Sequence, residues 1–122
     1  MALILIIDDD SQERLSFRSI LEDSGHRILE ADSKSLGIKI IKHKIVDCIF
    51  FNINMPEING FRFLIELPEL LRNKSVILSP GTSIAPIAFI RQLARCNGAV
   101  GALKTPVKAG PLLQILEQSL GK

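Results

Sequence analysis

Three adjacent carboxylates, Asp8-Asp9-Asp10, follow directly on the apolar run Leu3–Ile7. Like charges this close repel one another unless solvent or a cation neutralises them. Two chemistries are open to them. As a solvated turn, Asp10 with Glu13 three residues later reads as a capping box that opens a helix. Gathered with oxygens from other loops, Asp8 and Asp9 become hard ligands of the kind Mg²⁺ takes. A second polar cluster, Asn52-Ile53-Asn54-Met55-Pro56-Glu57-Ile58-Asn59-Gly60, closes the apolar run that begins at Cys48. Within it Asn59-Gly60 is a tight-turn signal. Ser79 ends a further apolar run, and Lys104-Thr105-Pro106 follows another.

Short apolar runs alternate with longer amphipathic segments five times, and these elements must position the polar groups. Leu3–Ile7 is uninterrupted Leu and Ile, the pattern of a strand buried on both faces. A helix follows with Phe17, Ile20, Leu21 and Ser24 on one face, and Gly25 ends it. Residues 26–31 form a second strand, and Asp32 or Ser33 caps a second helix to about Lys44, which Gly37 weakens. Residues 48–53 form the third strand. A helix over 61–67 should end or kink at Pro68. Residues 75–78 and 99–103 are the fourth and fifth strands. Between them 84–97 is a helix with Pro86 in its first turn, and Gly110-Pro111 opens a last helix to about Leu120. Strand–helix alternation with buried strands implies one α/β domain over residues 1–122, a five-stranded parallel sheet wound on both faces. Ligands of such sheets sit outside the carboxyl ends of the strands, where the polar clusters fall.

Asp8-Asp9 after an apolar strand, Met55-Pro56 with Gly60 four residues past the proline, Ser79 closing the fourth strand and Pro106 after the fifth form one ordered set. In this order and spacing the chain resembles the receiver domain of two-component response regulators, over essentially its whole length. The resemblance implies a flavodoxin-like fold and a phosphorylation switch. In that family an acidic pair and an aspartate at the third strand's end bind Mg²⁺. The aspartate takes a phosphoryl group from a partner histidine. The residue two places on lends a carbonyl to the metal, and a hydroxyl and a lysine contact the phosphoryl oxygens. Carried over, Asp8 and Asp9 are the acidic pair, Asn54 supplies the carbonyl and Ser79 the hydroxyl.

The chain departs from that pattern where the chemistry is most demanding. The phosphoacceptor position, three residues before Met55, is Asn52. A carboxylate oxygen is an anionic nucleophile, whereas a carboxamide is neutral, with its nitrogen lone pair delocalised into the carbonyl; its loss abolishes acyl-phosphate formation. It also removes a charged metal ligand, so Asp8 and Asp9 are left with a weakened Mg²⁺ site. The family's lysine position holds Thr105. Lys104 lies one residue earlier, and strand alternation turns it the other way. The aromatic switch position holds Ala102. The segment between Ser79 and Gly98 is about one helical turn longer than in typical members.

These departures imply a receiver that folds like its relatives, catalyses nothing and acts through protein–protein contacts. In the fourth helix Ile87, Phe89 and Ile90 belong to an apolar arc of about 200°, where ~100° suffices to face a core. The excess is either a docking surface, for a histidine kinase, an output protein or a second copy, or is covered by the longer loop before it. The alternative reading is a competent phosphoacceptor, with Asn52 a substituted residue or bypassed by Asp8 or Asp9. A nucleotide- or flavin-binding enzyme has no Gly-rich phosphate loop to use. His26 and His43 read as strand-start and helix-end residues, away from the strand ends that would build a triad.

Composition closes off other classes. With 47% hydrophobic and 23% charged residues the chain can bury a continuous core. A net charge of +2, with Lys39, Lys42, His43 and Lys44 as the longest basic stretch, argues against direct nucleic-acid binding. Cys48 and Cys96 lack metal-ligand spacing, and Cys48 reads as a core residue. No apolar run reaches membrane-spanning or signal-peptide length, so the expected compartment is the cytoplasm. The chain is read as either a stand-alone adaptor or a piece of a larger regulator or kinase.

Overall fold

The computed structural model describes residues 1–55, 58 and 61–121. Pro56, Glu57 and the Asn59-Gly60 turn signal lie outside the described residues, as does Lys122. Strands β1 (Leu3–Ile7), β2 (Arg27–Ala31), β3 (Cys48–Asn52), β4 (Ser75–Pro80) and β5 (Gly101–Thr105) pair in parallel, in the order β2-β1-β3-β4-β5. That is the flavodoxin-like strand order.

Side-chain alternation divides the interior into two cores. Leu5, Ile7, Ile49, Phe51, Ile77 and Ala102 face one side of the sheet, while Ile4, Ile6, Cys48, Phe50, Val76, Leu78 and Leu103 face the other. The second core is covered by Phe17 and Leu21 of α1 (Ser11–Asp23) and by Leu112, Ile115 and Leu116 of α6 (Ala109–Ser119). The first is covered by α2 (Lys34–His43), α3 (Arg62–Glu66), α4 (Glu69–Arg72) and α5 (Ile87–Cys96). Each fully buried Leu, Ile or Phe contributes about 1.5–3 kcal/mol. The two central phenylalanines pack in opposite directions: Phe50 tilts onto Phe17 at 5.4 Å, and Phe51 meets Phe63 edge-on at 4.9 Å.

The structure revises several sequence-based boundaries. Pro68 does stop the third helix, but the chain then re-enters a short helix, α4, with Pro68 as its N-cap. Pro86 likewise is the N-cap of α5 rather than a first-turn residue, so the extra length after Ser79 goes into a loop and not into the helix. β5 begins two residues later than the spacing suggests. The reason is the C-terminal motif of α5. Gly98, at φ 94°, donates its N–H to Arg95, and Ala99 donates to Ala94 at 2.9 Å, which commits both residues to the turn. Gly37 weakens α2 only in isolation. A Cβ there would stand 2.6 Å from Ile7 Cδ1, so glycine lets α2 approach β1 closely.

Cys48 is fully buried, and its sulfur accepts a 3.1 Å hydrogen bond from the Ser119 hydroxyl. Burial pushes its thiol up to about 12, so it is an inert core residue at neutral pH. Cys96 is exposed and unpaired with it.

Candidate functional site

β1 and β3 lie side by side, yet their following connections lead to opposite edges of the sheet. The crevice between their carboxyl ends is therefore the fold's natural ligand position. Asp8 and Asn52 meet there. Asp8 is 0% exposed, and its Oδ1 accepts the Asp10 N–H at 3.0 Å and the Asn52 Nδ2 at 3.3 Å. Asn52 Oδ1 accepts the Asn54 N–H at 2.8 Å. These two bonds define the amide's orientation: NH₂ toward Asp8, oxygen toward the loop. Asn54 and Asp9 are exposed at the rim.

Asp10 caps α1 as expected, its Oδ1 accepting the Gln12 N–H at 2.9 Å and the Glu13 N–H at 3.4 Å. The reciprocal half of the capping box is not made. Asp8 takes the Asp10 N–H that Glu13 would have held, and Glu13 is released to lean toward the crevice. Glu13 lies within hydrogen-bonding reach of the Asp8 and Thr105 side chains, yet no donor faces its buried Oε1 or Asp8 Oδ2. Sequence reasoning missed this residue, because its position three after a cap had a sufficient local explanation.

Burial, and then the neighbouring Asp8 charge, push the Glu13 carboxyl up to about 7. Burial also raises Asp8. The adjacent Arg14 does not relieve them: its Nη1 donates to the Asp8 main-chain oxygen at 2.7 Å and its Nε to Glu30 at 2.8 Å. A folded pKa above the ordinary 4.5 means the folded state holds more protons between about pH 4.5 and 7. Stability from this group is therefore present at low pH and lost as pH rises through 7. In EDTA, Glu13→Gln should stabilise the protein by roughly 1–3 kcal/mol at pH 8, with the gain closing by about pH 5. Urea melts at the two pH values test this; equal gains at both would rule it out.

On the β4–β5 side, Ser79 is 2% exposed and Thr105 is 4% exposed, with the Thr105 hydroxyl 3.5 Å from the Ser79 carbonyl. Lys104 is exposed, alternates with Thr105 along β5, pairs with Ser79 in the ladder and lines a small pocket with Ser79 and Gly81. Thr105, at the family's lysine position, thus brings a buried hydroxyl in place of an ammonium. Ala102 is a buried core residue beside Ile77.

The residues fit a divalent cation on one observation: Asp8 Oδ2 is fully enclosed and no donor faces it. Among the described residues no three His, Cys, Asp or Glu groups form a ready-made metal shell. Mg²⁺ tolerates this, since it is commonly held by one or two carboxylates and retains water.

The apolar arc of α5 separates into two parts. Ile90 is corrected to a core residue: it is 5% exposed and packs against the sheet, because it lies on the same face as Ala94. Ile87 is partly buried, whereas Phe89 is 54% exposed. Ile84 in the preceding loop is itself fully exposed, so it does not shield Phe89. Ile87 lines a groove of about 430 Å³ with Leu103, Lys104, Val107, Lys108 and Arg91. No helix among the described residues is long and apolar enough to cross a membrane.

The model of the response regulator receiver domain family matches residues 4–117. The chain is 36% identical over 62 residues to protein PilH of Pseudomonas aeruginosa, 51% of either chain. It is 34% identical over 83 residues to the sensor histidine kinase CheAY of Helicobacter pylori, covering 66% of this chain and 10% of that protein. The matches thus span about half of the one relative and a tenth of the other. A receiver domain from Clostridium thermocellum superposes with a TM-score of 0.84 at 26% identity, covering 99% of this chain and 95% of the other.

Proposed function

The chain belongs to the response regulator receiver domain family, and from that premise we infer that it is a two-component receiver whose acceptor position is chemically inert and which signals through protein–protein contacts. The observation that carries this reading is the Asn52 amide. Its NH₂ faces Asp8 and its oxygen is already engaged by the Asn54 N–H. Neither end is a nucleophile toward phosphorus. Thr105, at the lysine position, offers a hydroxyl in place of a cation, and Ala102 has no aromatic ring to turn. Asp8, Asp9 and the Asn54 carbonyl would hold Mg²⁺, which when bound supplies positive charge to the carboxylates. The chain works in the cytoplasm, and its partner is a histidine kinase, an output protein or a second copy of itself.

Two measurements test the two halves of this reading. Intact mass after incubation with Mg²⁺ and a small acyl phosphate should stay unchanged; a base-labile gain of one phosphoryl group would establish a working acceptor. The docking half rests on Phe89. Because its ring is more than half exposed, Phe89→Asp should leave stability within about 0.5 kcal/mol. It should weaken self-association or partner capture by about 10-fold or more. Unchanged mass in light scattering together with unchanged capture would reject the α5 face.

A further inference from the structure

We propose that Glu13 supplies the second carboxylate of the divalent-cation site, taking over the charge that Asn52 lacks. This rests on the receiver reading for the position of the site, but not on whether the chain is phosphorylated. Asn52 brings no charge to a cation. Its oxygen already accepts the Asn54 N–H, and its NH₂ hydrogens project toward Asp8. The amide also completes one side of Asp8, since Oδ1 already accepts two N–H bonds. Coordination is left to Oδ2, on a side chain that is 0% exposed and has no partner for that oxygen.

Glu13 brings the matching group. Its Oε1 is likewise enclosed with no donor facing it, and its carboxyl lies within hydrogen-bonding reach of the Asp8 carboxyl. Two carboxyls packed together with orphaned oxygens are relieved by a shared proton or, when both are ionised, by a shared positive centre. Among the described residues no side-chain cation provides it. Arg14 is committed to the Asp8 main chain and Glu30, and the exposed Lys104 forms no ion pair with either carboxylate. A small hard dication satisfies both oxygens at once and completes its shell with water at the exposed Asp9 rim. The ligand set has thereby shifted from the end of β3 to the first turn of α1.

The test is a Mn²⁺ titration of the full chain, following free Mn²⁺ by electron paramagnetic resonance, with Mg²⁺ as competitor. The wild type should bind one Mn²⁺ that Mg²⁺ displaces. Glu13→Gln should weaken binding at least about 10-fold, and Asp8→Asn should abolish it. Glu22→Gln, an exposed carboxylate lost from the same helix, should leave it unchanged. Glu13→Asp, which keeps the charge and retracts it by one methylene, should fall between wild type and Glu13→Gln, and reports the same effect if the amide variant folds poorly. Wild-type affinity in both Glu13 variants would overturn the assignment. So would a folded wild type that takes up no Mn²⁺ at millimolar concentration, the outcome if the two carboxyls merely share a proton. Failure of the inert-acceptor reading would appear separately, as a phosphoryl mass gain.

Discussion

Offered Mg²⁺ and a small acyl phosphate, Asn52→Asp should acquire a base-labile phosphoryl group while the wild-type chain keeps its mass. The initial rates should differ by at least about 10³-fold, the scale of removing a covalent nucleophile. The substitution changes one atom pair. It replaces an amide whose nitrogen is delocalised with a carboxylate whose oxygen attacks phosphorus as the donor's P–O bond breaks. It also returns a negative charge beside Asp8, which makes the reaction strictly Mg²⁺-dependent. The variant should remain slow, because Thr105 cannot neutralise the oxygens of the transferring group and the exposed Lys104 stands one residue off the family's lysine position. Adding Thr105→Lys should raise its rate by about 10²-fold, comparable to restoring one electrostatic contact to a transition state. Time-resolved intact mass on the three proteins decides the matter. Equal labelling of wild type and Asn52→Asp would mean that another side chain accepts the phosphoryl group.

The largest stability effect should come from the strand that ends in Asn52. Phe51 is 0% exposed, lies in the central strand paired with Ile7 and Ile77, and holds Phe63 edge-on across the first core. Phe51→Ala removes a ring that rigid neighbours on both ladders cannot replace, at a cost of about 3–5 kcal/mol. For a domain of this size that is a large part of the total stability. Phe89→Ala removes the same atoms from a half-exposed position and should cost under about 1 kcal/mol. Urea unfolding of the pair measures the contrast; a Phe51→Ala loss as small as that of Phe89→Ala would show that the core relaxes around the cavity.

Much of the fold is legible in the sequence because its signals are local and repeated. Uninterrupted Leu/Ile and Phe runs point to strands buried on both faces, and alternation along them yields the two cores. The same rule explains why Lys104 faces away from Thr105. Boundaries are less legible where a backbone motif decides them: the turn through Gly98 and Ala99 delays β5, and Pro68 and Pro86 cap the helices that begin just after them. Within the site, Asp8 and Asn52 can be found because strand ends converge whatever their side chains. Glu13 cannot. Whether it bonds back to the Asp10 N–H or turns toward Asp8 depends on a competition between two carboxylates for one donor. Such a contest is settled only in three dimensions. Ile90 is misassigned to the surface for a related reason. An arc wider than a core needs does not say which of its residues the sheet will take.

The two outermost strands leave unsatisfied backbone groups that could template fibril growth. β2 is guarded by Glu30, gripped by Arg14 and Arg18 from α1 at 2.8 and 2.7 Å. β5 carries the outward Lys104 and is followed at once by Pro106, which has no N–H to give. An exposed lysine on this outer strand thus contributes to solubility, by charging a rim along which another polypeptide would otherwise zip.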